Sequence, residues 1–285
     1  MRTSGFHVLP LSEASRGALG TPIQNALVVH ADTTAEYTEV NPDLQILDAS
    51  SAFWHSVECE AKINAGLPLD RFGELLEELS GDVFSFGPLS HSLSYERHFL
   101  LDAGGAEAYV VRLGKQNGKR KVAIKFKETQ GERNGILMRS MKLEEWSPDA
   151  FNAVVEGFGA RHGAPARITP LRPFYKRKSR AVCVHRQYGV VFGVSLDRSK
   201  PAGLQDELSQ IEVEYWSTLL PKGVAPDPTA LLSESSISEI HVELCALFCR
   251  QLEREGVAFE PTQLTKSEWI RRVTECAGLL NGSGH

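Results

Sequence analysis

The chain has 285 residues, 42% of them hydrophobic and 24% charged, with a formal net charge of −5 at pH 7. That length suffices for one large or two modest domains around a buried core, and the balance is that of a globular protein. The net negative charge argues against wholesale binding to nucleic acid, double-stranded nucleic acid included, so any anion site has to be a local gathering of Lys and Arg. No run approaches the length of apolar residues that a membrane span needs, and the first residues lack the apolar core of a signal peptide. A cytoplasmic location away from membranes is the expectation. Five cysteines, Cys59, Cys183, Cys245, Cys249 and Cys276, are odd in number and without metal-ligand spacing, as in buried thiols of a reducing compartment.

Taken in order, residues 1–45 mix Gly, Pro, Thr and Asn and read as an extended arm. A helix is expected from Asp48 to about Gly66, with Phe53, Trp54 and Val57 on its apolar side. A second spans Asp70–Leu79, where Phe72, Leu75, Leu76 and Leu79 recur at helical spacing. These helices either cover part of the following sheet or make a homodimer contact. From Ser90 the pattern turns to strands. Ser94–Phe99 sets Glu96 and His98 on one face, Ala108–Leu113 points Val110 and Arg112 together, and Gln116-Asn-Gly118 signals a hairpin.

The next strand is the most informative. Val122, Ile124 and Phe126 alternate with Lys119, Lys121, Lys125 and Lys127, so one face is apolar and the other cationic. Ile136–Trp146 carries Arg139 between Leu137 and Met141. A helix over 147–161 follows Ser147-Pro148-Asp149. Tyr175–Val184 then places Lys176, Lys178 and Arg180 together, Val190–Arg198 includes Asp197, and Gln210–Trp216 puts Glu212 beside Glu214. The tail is helical, over Leu231–Glu253 and again from Thr265-Lys-Ser-Glu268. The residues alone imply a six-to-eight-stranded antiparallel sheet, α+β in class, with helical flanks.

Read jointly, the charged faces hold a basic set (Arg112, Lys125, Lys127, Lys176, Lys178, Arg180, with Arg139) and an acidic set (Glu96, Asp197, Glu212, Glu214). On an open sheet such faces are wetted. In a closed barrel they line a polar lumen. Cations there offer charge-assisted hydrogen bonds to phosphate oxygens. Carboxylates among them suit Mg²⁺ or Mn²⁺, hard cations that take oxygen ligands and bridge to phosphates.

The segment Tyr95-Glu-Arg-His-Phe-Leu-Leu101, the Tyr109-x-x-Arg112 strand, the Lys125/Lys127 strand, the 176–180 strand, Asp197 and the closing Glu212-x-Glu214 resemble, in that order, the CYTH or triphosphate tunnel metalloenzyme superfamily. The resemblance implies an eight-stranded antiparallel β-barrel over residues 86–220, with additions at 1–85 and 221–285. It implies metal at Glu96, Asp197, Glu212 and Glu214, catalysis resting on Glu96, Glu212 and Glu214, and phosphate on Arg112, Lys125, Lys127, Arg139, Lys176, Lys178 and Arg180. The implied activity is Mg²⁺- or Mn²⁺-dependent hydrolysis of a triphosphate-containing substrate, inorganic or nucleoside. The family opens on Glu-x-Glu-x-Lys, and the aligned positions are Ser94, Glu96 and His98, one carboxylate and one lysine short. That departure favours a second reading, a nucleotide- or polyphosphate-binding protein without turnover. Tyr175-x-Arg177 and Val194-Ser-Leu-Asp-Arg198 are also similar to the VTC-type polyphosphate polymerases, from which Ile211-Glu-Val-Glu214 departs.

Overall fold

A computed structural model describes residues 44–46, 57–116, 119–221 and 234–282. The strands are β1 (Leu44–Ile46), β2 (Val57–Ala65), β3 (Phe84–Phe86), β4 (Ser90–Ala103), β5 (Ala106–Gln116), β6 (Lys119–Arg133), β7 (Ile136–Glu145), β8 (Arg167–Pro170), β9 (Phe174–His185), β10 (Val190–Pro201), β11 (Leu208–Pro221) and β12 (Phe259–Thr262). The described helices are α1 (Leu69–Leu79), α2 (Pro148–Arg161), α3 (Glu234–Arg254) and α4 (Lys266–Gly282).

Eight strands close on themselves. The order β11-β10-β9-β4-β5-β6-β7-β2 returns to β11 through an antiparallel β2–β11 pairing, Glu214 opposite Glu60 and Gln210 opposite Asn64. The chain is therefore a closed eight-stranded antiparallel barrel with helices outside it, α+β in class. Short strands decorate it: β1 on β11, β3 on β9, β8 on β4 and β12 on β2.

One expectation is overturned. Residues 57–65 are a strand, not the end of a helix, and the barrel begins well before residue 86. Val57, Cys59, Ala61, Ile63 and Ala65 alternate with Glu58, Glu60, Lys62 and Asn64, a period of two that a helix cannot place on one side. The rest of that expectation, residues 48–56, and the arm at 1–43 lie outside the described residues.

Helices cover the outer apolar faces. Phe72, Leu75, Leu76 and Leu79 of α1 and Ile237, Ile240, Leu244, Phe248 and Leu252 of α3 pack on the outward residues of β2, β9, β10 and β11, among them Ile63, Cys183, Phe192, Val194 and Ile211. Leu244, Phe248 and Leu252 are fully buried, and burial of such side chains contributes roughly 1.5–3 kcal/mol each. On the other flank Phe158 of α2 packs on Leu101, Val110, Ile124 and Phe126. The Ser147 side chain starts α2 by accepting from the Ala150 N–H at 3.0 Å, with Pro148 next in line. Thr265 and Glu268 start α4 with a reciprocal capping box.

His241 is buried in the α3 layer and donates from Nε2 to the Val213 carbonyl at 2.9 Å. Burial pushes its imidazole down to about 4. The unfolded chain, with an ordinary histidine near 6.5, binds this proton more readily, so stability falls as pH drops from about 6.5 towards 4. The full effect is on the order of 3 kcal/mol. Urea midpoints of His241→Gln measured across that window are expected to lose this slope; an unchanged slope assigns it elsewhere.

Candidate functional site

The face opposite the apolar core is the inside of the barrel. Along β2 and β11 the register pairs Lys62 with Glu212 and Glu60 with Glu214, while Ala61, Ile63, Ile211 and Val213 point out to the helices. Contacts then cross between strands that are not neighbours. Lys178 on β9 lies 3.4 Å from Glu212 on β11, past β10, and 3.4 Å from Asp197 on β10. Arg139 on β7 bonds Glu60 on β2, which also pairs with Lys62, and Lys62 lies 3.7 Å from Glu212. One buried network therefore runs through the lumen.

Towards one end of β9, Lys176 lies 2.5 Å from Glu96, which accepts from Ser94 Oγ at 2.9 Å. Glu96 also accepts from His98 Nε2 at 3.2 Å, leaving His98 Nδ1 to accept from the Ser267 hydroxyl at 2.7 Å. Towards the other end, the Arg180 guanidinium carbon lies 5.4 Å from the Trp216 ring. Arg180 Nε is buried with no hydrogen-bond partner among the described residues. Lys125 and Lys127 share one face of β6, in register with Val111 and Tyr109 of β5 and with Leu143 and Met141 of β7.

Electrostatics follow from this packing. Burial alone would raise Glu212, yet Lys266, Lys178 and Lys62 hold it well below the ordinary carboxylate range. Glu96 behaves likewise, burial being outweighed by Lys176 and His98. Burial lowers His98, against the pull of Glu96, so the imidazole is neutral. Arg180 is lowered by burial too, against Glu214, Asp197 and Glu212.

Two corrections follow. Arg112 does not face the lumen: it stands beside Val110 and opposite Ile124 on the outer face, its guanidinium 4.1 Å over the Trp146 ring. And the Glu-x-Glu-x-Lys pattern, placed at Ser94, Glu96 and His98 on sequence grounds, stands complete on β2 as Glu58, Glu60 and Lys62. Two carboxylates and a lysine in that spacing thus occur on β2, two strands before β4 in the chain. The period-two alternation of 57–65 is the signal that would have found them.

A further lumen residue comes from outside the barrel. Lys266, at the start of α4, lies 2.9 Å from Asp197 and bonds Glu212, and those carboxylates raise its pKa against the pull of burial. Gln210 donates to the Leu264 carbonyl at 2.9 Å, while Ile270 and Trp269 pack with Leu100, Leu171 and Phe174. The N-terminus of α4 is thereby seated on the lumen.

The carboxylates of Glu60, Glu212 and Glu214, on adjoining strands, are the hard oxygen donors that Mg²⁺ or Mn²⁺ prefers. Among the described residues no three acidic, His or Cys side chains converge on a cation position, and Glu60, Glu96, Asp197 and Glu212 each contact a lysine. The donor set fits such an ion in kind; loading it means exchanging ammonium contacts for metal.

No protein-family model matches the chain, and no curated protein matches it. Solved structures do. One is HpAC1 from Hippeastrum, named as a candidate adenylyl cyclase and described with a dominant triphosphatase activity, at 13% identity and a TM-score of 0.40 over 76% of this chain and 96% of that one. Another is the RNA triphosphatase Pct1 of S. pombe, solved in complex with the Spt5 CTD, at 13% identity and a TM-score of 0.26 over 87% of this chain and 95% of that one. Pct1 without that partner gives 11% and 0.28. Scores this low decide neither activity nor substrate. The resemblance drawn from the sequence is carried instead by barrel closure and by the motif on β2. No described helix is long and apolar enough to cross a membrane.

Proposed function

We propose that the lumen binds the triphosphate group of an anionic substrate and hydrolyses a phosphoanhydride bond with Mg²⁺ or Mn²⁺. The observation that carries this reading is the interior network itself. Lys62, Lys176, Lys178 and Lys266 interleave with Glu60, Glu96, Asp197 and Glu212 across five strands and one helix. Buried ion pairs contribute little net stability, because desolvation offsets their attraction. A barrel needing only a packed interior would be filled with apolar side chains.

Lys125, Lys127, Arg139, Lys176, Lys178 and Arg180 are the phosphate-binding residues in this reading. Arg180 Nε supplies a buried donor for which a phosphate oxygen is the natural acceptor. Glu60, Glu212 and Glu214 would hold the divalent ion, with Asp197 and Glu96 as further carboxylates of the lumen. A bound divalent ion would supply positive charge that offsets the phosphate oxygens during hydrolysis by water. The lysines spread the remaining charge over preorganised donors that need no reorganisation during reaction.

The test is a thermal melt with tripolyphosphate, ATP and GTP, each with and without Mg²⁺ or Mn²⁺, followed by assay of released phosphate. A ligand of the native state raises the melting temperature by mass action, and release is expected only with metal. The lysine contacts of the carboxylates favour one competing reading, binding without turnover. Stabilisation without release under any metal would select it. No shift with any anion would sink both.

A further inference from the structure

The outer wall of β4, β9 and β10 carries a second set of cations that takes no part in the lumen. Register sets Tyr95 opposite Tyr175, their rings 5.2 Å apart, and Tyr175 opposite Lys200. Two residues along the strands, Arg177 stands between Leu93 on one side and Arg198 on the other. Two residues the other way along β4, Arg97 stands opposite Arg112 of β5. Two arginine pairs thus face each other across neighbouring strands, on either side of a tyrosine pair.

That arrangement costs stability. Like charges directly opposite in an antiparallel sheet are destabilising, and here they occur twice on one face. Arg198 is bonded to Glu207 at 2.5 Å, and Arg112 rests on Trp146. Arg97, Arg177 and Lys200 are exposed. Between them Tyr175 is 53% exposed and Leu93 47%, an open aromatic and apolar strip amid positive charge. In a chain of net charge −5 such a strip is a local exception, complementary to a polyanion that also offers flat rings.

We propose that this outer face binds single-stranded nucleic acid, with phosphates on Arg97, Arg177 and Lys200 and bases stacked on Tyr175 and Tyr95. Exposed aromatics interleaved with cations are what sequence-tolerant single-strand binding requires. A duplex keeps its bases stacked inside and leaves the tyrosines unused. Inorganic polyphosphate has no ring to stack, and an acidic peptide engages the arginines without needing both tyrosines. The surface is separate from the lumen and does not depend on its chemistry.

The probe is a short fluorescent oligouridine carrying no terminal phosphate, titrated with the intact chain by anisotropy. Binding is expected at low salt and weakens steeply as salt is added. Tyr175→Ala is expected to weaken it roughly tenfold or more, while Tyr175→Phe retains it. Arg177→Gln is expected to weaken it and to flatten the salt dependence. All three variants keep the wild-type shift with tripolyphosphate, since none of these side chains faces the lumen, and Arg177→Gln, which relieves the opposition to Arg198, melts no lower than wild type. The proposal is overturned if the oligonucleotide does not bind at low salt. It is equally overturned if Tyr175→Ala binds as well as wild type, or if saturating tripolyphosphate, duplex RNA or an acidic peptide displaces the strand completely. A lumen that ignores tripolyphosphate while the strand still binds would sink the hydrolase reading alone.

Discussion

Glu212→Gln is expected to abolish metal-supported phosphate release, by at least about a hundredfold, while leaving metal-free anion binding intact or tighter. Glu212 is the carboxylate shared by Lys62, Lys178 and Lys266. Removing its charge deprives the divalent ion of a ligand and leaves the lysines with less to neutralise them. Buried charge stripped of a partner destabilises a fold by several kcal/mol, typically 3–5, so the apo melting temperature should fall. Tripolyphosphate supplies the missing negative charge, and its stabilising shift should therefore exceed that of the wild type. Isothermal titration, melts and phosphate release on the same preparation read all three quantities. A variant that still turns over with Mg²⁺ at the wild-type rate would remove Glu212 from the site.

Gly193→Ala is expected to destabilise the fold on a similar scale, by steric overlap instead of an unpaired charge. A Cβ at this position would stand 2.1 Å from Trp216 Cζ2 and 2.2 Å from Cε2, far inside carbon–carbon contact. The β10–β11 register shifts between Val191 and Phe192, and the buried Trp216 indole lies against Gly193. Neither strand can give way without opening the barrel wall, so the indole must move. Overpacking of this severity costs roughly 3 kcal/mol or more. The displaced ring also shifts Arg180, so tripolyphosphate affinity should fall with stability. Pairing Gly193→Ala with Trp216→Leu should recover much of the loss, because the two residues share one contact. Strictly additive effects in the double variant would show that the clash is not the cause.

Much of the grouping of charged residues by strand face was legible because strand parity is a strong signal. Lys125 with Lys127, Lys176 with Lys178 and Arg180, and Glu212 with Glu214 each share a face, as their spacing requires. Parity tells which residues point together, not which side is inside. Arg112 shows the limit: its neighbour Val110 belongs to the core under α2, so Arg112 faces out with it. β2 was hidden because Glu, Ala and Lys are good helix formers and Phe53 and Trp54 suggested a helical stripe. The partnership with β7 and β11 overrides that local preference. Lys266 could not be read at all, since a lysine in the first turn of a helix is ordinarily solvated. Only the seating of α4 against the strands makes it an interior residue.

The seam between β2 and β11 joins two of the most widely separated strands of the barrel in the chain, with six other barrel strands between them. Closure of so long a loop is expected to wait until the intervening strands exist, and non-local pairing of this kind slows folding. α4 follows every one of those strands, and its docking presupposes a finished rim. The chain order predicts a stage of assembly in which the barrel is shut along its side but open where Lys266 will sit. During that interval the acidic residues lack their last ammonium partner, and a divalent ion meets less competition than in the completed molecule. Refolding in the presence of Mn²⁺, compared with adding Mn²⁺ afterwards, would register that difference as an advantage in the speed or extent of metal loading.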